Sequence, residues 1–266
     1  MKRLQQYTAT ARICAKGVFD GGLLSVAGEY LVRFLQLILL VQIWRSFGES
    51  SALPDGMSLP VLLTYTLMAS VFRQQLDIIT PATSALWEGS ITGRYLRPCP
   101  VLGGLAAETI GRWWIPVFLF YSVPVLLISP LLGISPLPAS AWNLVFFLIS
   151  LALSASLGFA LDFIYASMAI RMKNGCWAAQ MVREALTQLF TGALIPFAML
   201  PGWAGQLLSW LPTGSIASAP LSIYVGGAGS SPLYLIGLQL FWNAVLWPVS
   251  LWIFHKSEER MISYGG

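Results

Sequence analysis

The stretch from Trp142 to Ile170, WNLVFFLISLALSASLGFALDFIYASMAI, runs for 29 residues with one formal charge, Asp162. About 20 apolar residues cross the roughly 30 Å hydrocarbon core of a bilayer as a helix, so this stretch spans with residues to spare. Composition extends the reading to the whole chain of 266 residues. It is 56% hydrophobic and 10% charged, and its mean hydropathy is +0.71. Soluble domains carry about a quarter charged residues. Too little polar surface is left here to face water, and lipid is the simpler solvent.

Five further spans follow from the same length argument: Gly22 to Trp44, Leu59 to Ile79, Trp113 to Leu132, Glu184 to Pro196 or Pro201, and Leu233 to Phe254. Pro124 and Pro248 fall inside two of them and predict kinks, because proline removes a helical hydrogen bond. The expected fold class is all-α, a polytopic membrane protein with six transmembrane helices. The chain holds fifteen Lys and Arg. With the N-terminus in the cytoplasm, twelve of them lie on the inner side, Arg33 and Arg73 lie within spans, and only Arg45 lies outside. The positive-inside bias therefore predicts both termini in the cytoplasm. The net charge of +4 and pI of about 9.1 belong to this bias, so nucleic acid is excluded as the partner.

Residues 1–20 are no cleavable signal peptide, because Gln5, Gln6, Thr8, Arg12 and Lys16 interrupt any apolar run. Leu4, Tyr7, Ala11, Cys14 and Val18 recur at helical spacing and suit an amphipathic helix on the inner membrane surface. An ordinary polar tail is the plainer reading of the same residues. Cys14, Cys99 and Cys176 all fall on the inner side, where thiols stay reduced.

Catalytic patterns are missing from the sequence. His255 is the only histidine, no His/Cys/Asp/Glu cluster has metal-ligand spacing, and no Gly-x-Ser-x-Gly elbow is present. There is also no Gly-x-x-x-x-Gly-Lys-Ser/Thr loop, so ATP used by this chain would have to be bound on another polypeptide.

The inner loop 80–112 is the richest segment. Trp87, Ile91 and Tyr95 stand at i, i+4 and i+8, and a short helix could present them to a groove on a soluble partner. Pro98 and Pro100 would stop it. A loop resting on lipid headgroups accounts for the spacing equally well.

The segment Trp87-Glu88-Gly89-Ser90-Ile91-Thr92-Gly93-Arg94-Tyr95-Leu96-Arg97-Pro98 resembles the signature of ABC-2-type transporter permeases, in which a glycine, an aliphatic residue, Tyr-Leu and a proline follow in order. The nearest subgroup is the small six-span permeases related to daunorubicin and viologen exporters. Ile91 stands where that family often has leucine, a conservative departure. Leu194 to Trp203, Leu208 to Pro212 and Pro220 to Tyr224 are similar to the group's second signature, and the likeness covers the chain in span order. It implies a single transmembrane domain over 1–266, with 1–20 as an elbow helix. Within loop 80–112, Trp87, Glu88, Ile91, Arg94, Tyr95, Leu96 and Arg97 would form a coupling helix seated on a separate ATPase. Residues 196–232 would form an outer gate including Pro196, Phe197, Pro201 and Trp203. ATP and Mg would be held by that partner and no cofactor by this chain. A second copy or a related permease would complete the assembly in a bacterial inner membrane. The implied activity is export of a hydrophobic or amphipathic drug, peptide or lipid-like substrate. A lipid-modifying enzyme and a passive channel or scaffold are the rival readings.

Asp162 needs a partner, since a charge at the bilayer centre costs on the order of 3 kcal/mol. A site attracting a cationic substrate is one reading. Energetics favour a structural bridge to Arg73 or Arg33, or a hydrogen bond to a neighbouring helix. Glu29/Arg33, Arg73/Asp77 and Glu108/Arg112 are each spaced i, i+4 for pairing on one helix face.

Overall fold

The computed structural model describes residues 2–21, 23–50, 53, 57–97, 99–171, 176–227 and 231–263. Expectations on Gly22, Pro98 and Lys173 lie outside the described residues. So do those on the side chains of Lys2, Arg3, Leu86, Trp87, Arg171, Cys176, Trp177 and Arg260. Among the described residues every regular element is helical. The order is α1 (Lys2–Gly17), α2 (Leu23–Ser50), α3 (Leu59–Val71), α4 (Arg73–Leu76), α5 (Ala82–Trp87), α6 (Thr92–Tyr95) and α7 (Val101–Leu132). Then come α8 (Ala141–Arg171), α9 (Cys176–Phe190), α10 (Gly202–Trp210), α11 (Pro212–Val225) and α12 (Pro232–Ser263). Stretches of α2, α7, α8 and α12 are long and apolar enough to cross a membrane.

Helix α8 is the hub. It packs against α12, α11, α5, α4 and α9. Small hydroxyl residues let α12 approach it and supply its polar contacts. Ser150 donates to Gln239 Oε1 at 2.9 Å, Trp247 Nε1 donates to Ser156 at 2.8 Å, and Ser257 donates to the Ser167 carbonyl at 3.4 Å. The partner offset stays between 89 and 91 residues, so α8 and α12 run parallel. The chain between them must return to the level where α8 began. Polar groups inside an apolar bundle are costly unless paired, and these contacts pair them.

Helix α7 starts at Val101, well before the expected Trp113, so Glu108 and Arg112 belong to the helix. It passes Pro116 and Pro124 without breaking, and a third proline, Pro130, lies in its closing 3-10 turn. Pro116 and Pro124 lack the N–H that would bond to residues 112 and 120, and their rings crowd those carbonyls. Each of those carbonyls lies in a π-helical turn, Ile110–Trp114 or Phe118–Ser122, where the wider winding takes up the proline. Pro248 lies inside the continuous helix α12.

Three expectations are corrected. The second expected span stops at Val71, and only the short α4 follows before Asp77 leaves helical geometry. The fifth begins at Cys176 and ends at Phe190, so Glu184 lies mid-helix and the proline-rich stretch lies outside it. Of the three i, i+4 pairs only Arg33–Glu29 forms, at 2.7 Å. Glu108 is taken by Arg94 and Asp77 by Arg183, because both carboxylates face another element rather than their own helix.

Candidate functional site

The segment after Thr80 is built in two steps, and a glycine separates them. Helix α5 ends at Trp87, and Gly89 adopts φ +71°, a left-handed conformation that glycine enters without a side-chain penalty. The turn sends Ile91 back inward, where it is 1% exposed and clusters with Ala82 and Ala85. Its N–H donates to the Ala85 carbonyl at 3.0 Å. Trp87, Ile91 and Tyr95 therefore do not form one stripe on one helix, as the spacing predicted. Ile91 is the anchor, and the single turn α6 is the tip.

At that tip Tyr95 is 51% and Leu96 89% exposed, and Arg97 and Glu88 also face outward. Arg94 is not an outward cation: it pairs with Glu108 of α7 at 2.6 Å. The same corner holds α1. Gly111 of α7 meets the Ala11 backbone so closely that a Cβ there would overlap it. Cys99 donates to Gln6 Oε1 at 3.5 Å. Elbow candidate, loop tip and α7 thus form one packed corner.

The root of the loop is fixed by charge. Arg183 of α9, 6% exposed, lies 3.1 Å from Asp77 Oδ1 and 3.4 Å from Asp162 Oδ1, and it also donates to the Ile78 carbonyl. Asp162 Oδ2 accepts from the Thr80 hydroxyl and from the Thr80 N–H, the latter at 3.1 Å. Asp162 thus has a partner, and it is neither Arg73 nor Arg33. A span expected to begin at Glu184 leaves Arg183 just outside it, so the sequence alone does not offer Arg183 as the partner. An arginine facing an apolar stretch with an unassigned Asp162 was the signal that could have found it.

Helix α9 carries this root to the proline-rich segment. After Phe190 the chain turns at Gly192, φ +74°, whose carbonyl accepts from the Tyr65 hydroxyl at 2.7 Å. The expected gate residues then separate. Pro196 and Phe197 are buried, whereas Pro201 and Trp203 are exposed. The Phe197 ring fills space that Cβ atoms on Gly192 and Gly214 would occupy, each within 2.9 Å of it. Helix α11 is buried and antiparallel to α8: Gln239 Nε2 bridges Ser154 and the Ser215 carbonyl, while Asn143 reaches the Ile223 carbonyl at 2.8 Å. The chain therefore dips to the middle of α8 and climbs back, which satisfies backbone groups inside protein rather than in lipid.

Between α2, α3, α4, α9 and Tyr121 of α7 lies a cavity of about 470 Å³. Its wall carries Arg33, Gln36, Arg73 and Asp77 together with Leu39, Leu40, Ile43 and Leu194. Among the described residues no group of three or more His, Cys, Asp or Glu is placed to hold a metal ion.

Long apolar helices packed through small and paired polar residues define a multi-pass helical membrane protein. The chain matches the family described as "ABC-2 family transporter protein" over residues 30–265. It belongs to that family. No curated protein matched it.

Proposed function

We propose that this chain is the membrane-spanning, non-catalytic subunit of an ATP-driven exporter. The family match over 30–265 carries the reading, since ABC-2 permeases partner ABC ATPases. In this reading the chain crosses a bacterial cytoplasmic membrane six times, with both termini inside. The positive-inside bias and the parallel course of α8 and α12 support it. Residues 1–20 act as the elbow helix, and loop 80–112 presents α5 and α6 to the ATPase. Glu88, Tyr95, Leu96 and Arg97 make the contact, Ile91 and Arg94 hold its shape, and Trp87 lies at the end of α5. Residues 196–232 form the outer gate, with Phe197 as its seated residue and Pro196, Pro201 and Trp203 around it.

ATP and Mg stay on the partner ATPase, and no cofactor is bound here. A second copy or a related permease completes the pathway. ATPase closure pushes the loop, and Arg183 joins the loop root to α8 and α9, so nucleotide state biases the spans. This requires nucleotide states to bind the two conformations with different affinity.

Affinity purification of the chain from its native source in mild detergent tests the partnership. A subunit with a P-loop should co-purify, and Leu96→Glu/Arg97→Glu should reduce its recovery tenfold or more while the spans stay folded. A chain that reaches the membrane and never recruits such a subunit contradicts the reading and favours a passive channel or scaffold.

A further inference from the structure

The cavity beside α2 has two chemically different ends. Arg73 reaches Gln36 at 3.3 Å, and Leu59 packs against Gly48, so α2 and α3 run antiparallel. Arg33, Gln36 and Arg73 therefore share one end. Leu40, Ile43 and Leu194 line the rest together with the polar Thr66, Gln188 and Thr191, and Arg33 and Ile43, ten residues apart on α2, are separated by about 15 Å along its axis. A pocket of this size suits one small amphiphile.

The charged groups around it are not equivalent. Glu29 is held by Arg33. Asp77 lies in the wall, but its carboxylate is turned to Arg183, and Asp162 is enclosed by Thr80 and the same arginine. Taken together these six groups are close to neutral. What differs is commitment: Asp77 and Asp162 engage Arg183, and Glu29 engages Arg33. Arg73 is exposed at the cavity wall and, among the described residues, donates only to the neutral Gln36 amide oxygen. An arginine within an apolar bundle marks a polar site, and guanidinium presents a fork of donors to carboxylate or phosphate.

We propose that the cavity takes a single-chain amphipathic anion, its acidic head at Arg73 beside the Arg33–Glu29 pair and its tail along Leu40, Ile43 and Leu194. The proposal rests on the permease reading, in which such a molecule is cargo, and it replaces a cationic substrate drawn to Asp162. Asp162 cannot serve that purpose because it is 1% exposed and already paired.

Binding to the purified chain in phosphatidylcholine nanodiscs tests this without any ATPase, with empty nanodiscs subtracted. The probes are dodecyl phosphate and dodecyltrimethylammonium, which share a tail and differ in head charge. The wild-type chain should bind the phosphate at least tenfold more tightly. Arg73→Gln should remove most of that preference, and Arg73→Glu should reverse it. Equal binding of the two probes by the wild-type chain, or preference for the cation, overturns the proposal. So does full retention of the preference in folded Arg73→Gln. The permease reading fails on a different result, absence of a P-loop partner, so the two failures are distinguishable.

Discussion

Arg183 on α9 and Asp162 on α8 form an ion pair 3.4 Å apart, both nearly sealed from solvent, and Asp77 shares the same guanidinium. This pairing turns two helices and the loop root into one unit. Removing one partner of a buried pair leaves an uncompensated charge, at a cost of about 3–5 kcal/mol. Arg183→Ala should lower stability by that amount in thermal unfolding in detergent. Asp162→Asn should cost less, because Asp77 still faces the arginine. A wild-type melting curve for Arg183→Ala would remove the network from any structural role.

The seat of Phe197 gives a sharper steric test. An alanine at position 214 would meet the Phe197 ring and the Leu208 carbonyl, whereas one at 202 meets open space. Overpacking costs about 1–3 kcal/mol, and substitutions in open positions stay within about 0.5 kcal/mol. Gly214→Ala should therefore destabilise the protein and Gly202→Ala should not. Equal effects would mean that neither the ring nor the Leu208 carbonyl is seated against position 214.

Cys14 reports the α1 corner. Burial first, then the neighbouring Glu108, push its thiol above the ordinary range, while Arg112, Arg94 and Arg97 oppose the shift. A raised pKa leaves little thiolate at neutral pH. In a Cys99→Ser/Cys176→Ser chain, maleimide labelling at Cys14 should be slow at neutral pH and rise only above the usual midpoint of about 8.5. Glu108→Gln removes one raising charge and should move the rise downward. An ordinary thiol profile would show that α1 is not packed on α7.

Orientation has its own check. Leu96 and Leu131 are 89% and 85% exposed, and they belong to the loop before α7 and to the far end of α7, which the proposed topology places inside and outside. In a cysteine-free chain in intact cells, a membrane-impermeant maleimide should label Leu131→Cys and not Leu96→Cys. The reverse pattern would invert the topology.

Much of the fold was legible because length and hydropathy act locally. The stretch 142–170 becomes the hub helix α8, and α2, α7 and α12 follow from the same length and hydropathy. Helix ends were less legible. Glu108 and Arg112 looked like loop residues, yet they extend α7 because Arg94 receives Glu108 across the corner. Ile91 shows the same limit: its spacing to Trp87 and Tyr95 is helical, but one left-handed glycine between them sends it into the core. Arg183 was hidden because charge alone reads as loop, and only three-dimensional packing brings two acids to it.

The central claim is that loop tip α6 contacts an ATPase. A photo-crosslinking amino acid at position 96, in the chain expressed in its native cells, tests it most directly. A P-loop subunit should crosslink to position 96 and not to the same group at position 131. A crosslink from 131, or none from 96 in a chain that co-purifies with its ATPase, would contradict it.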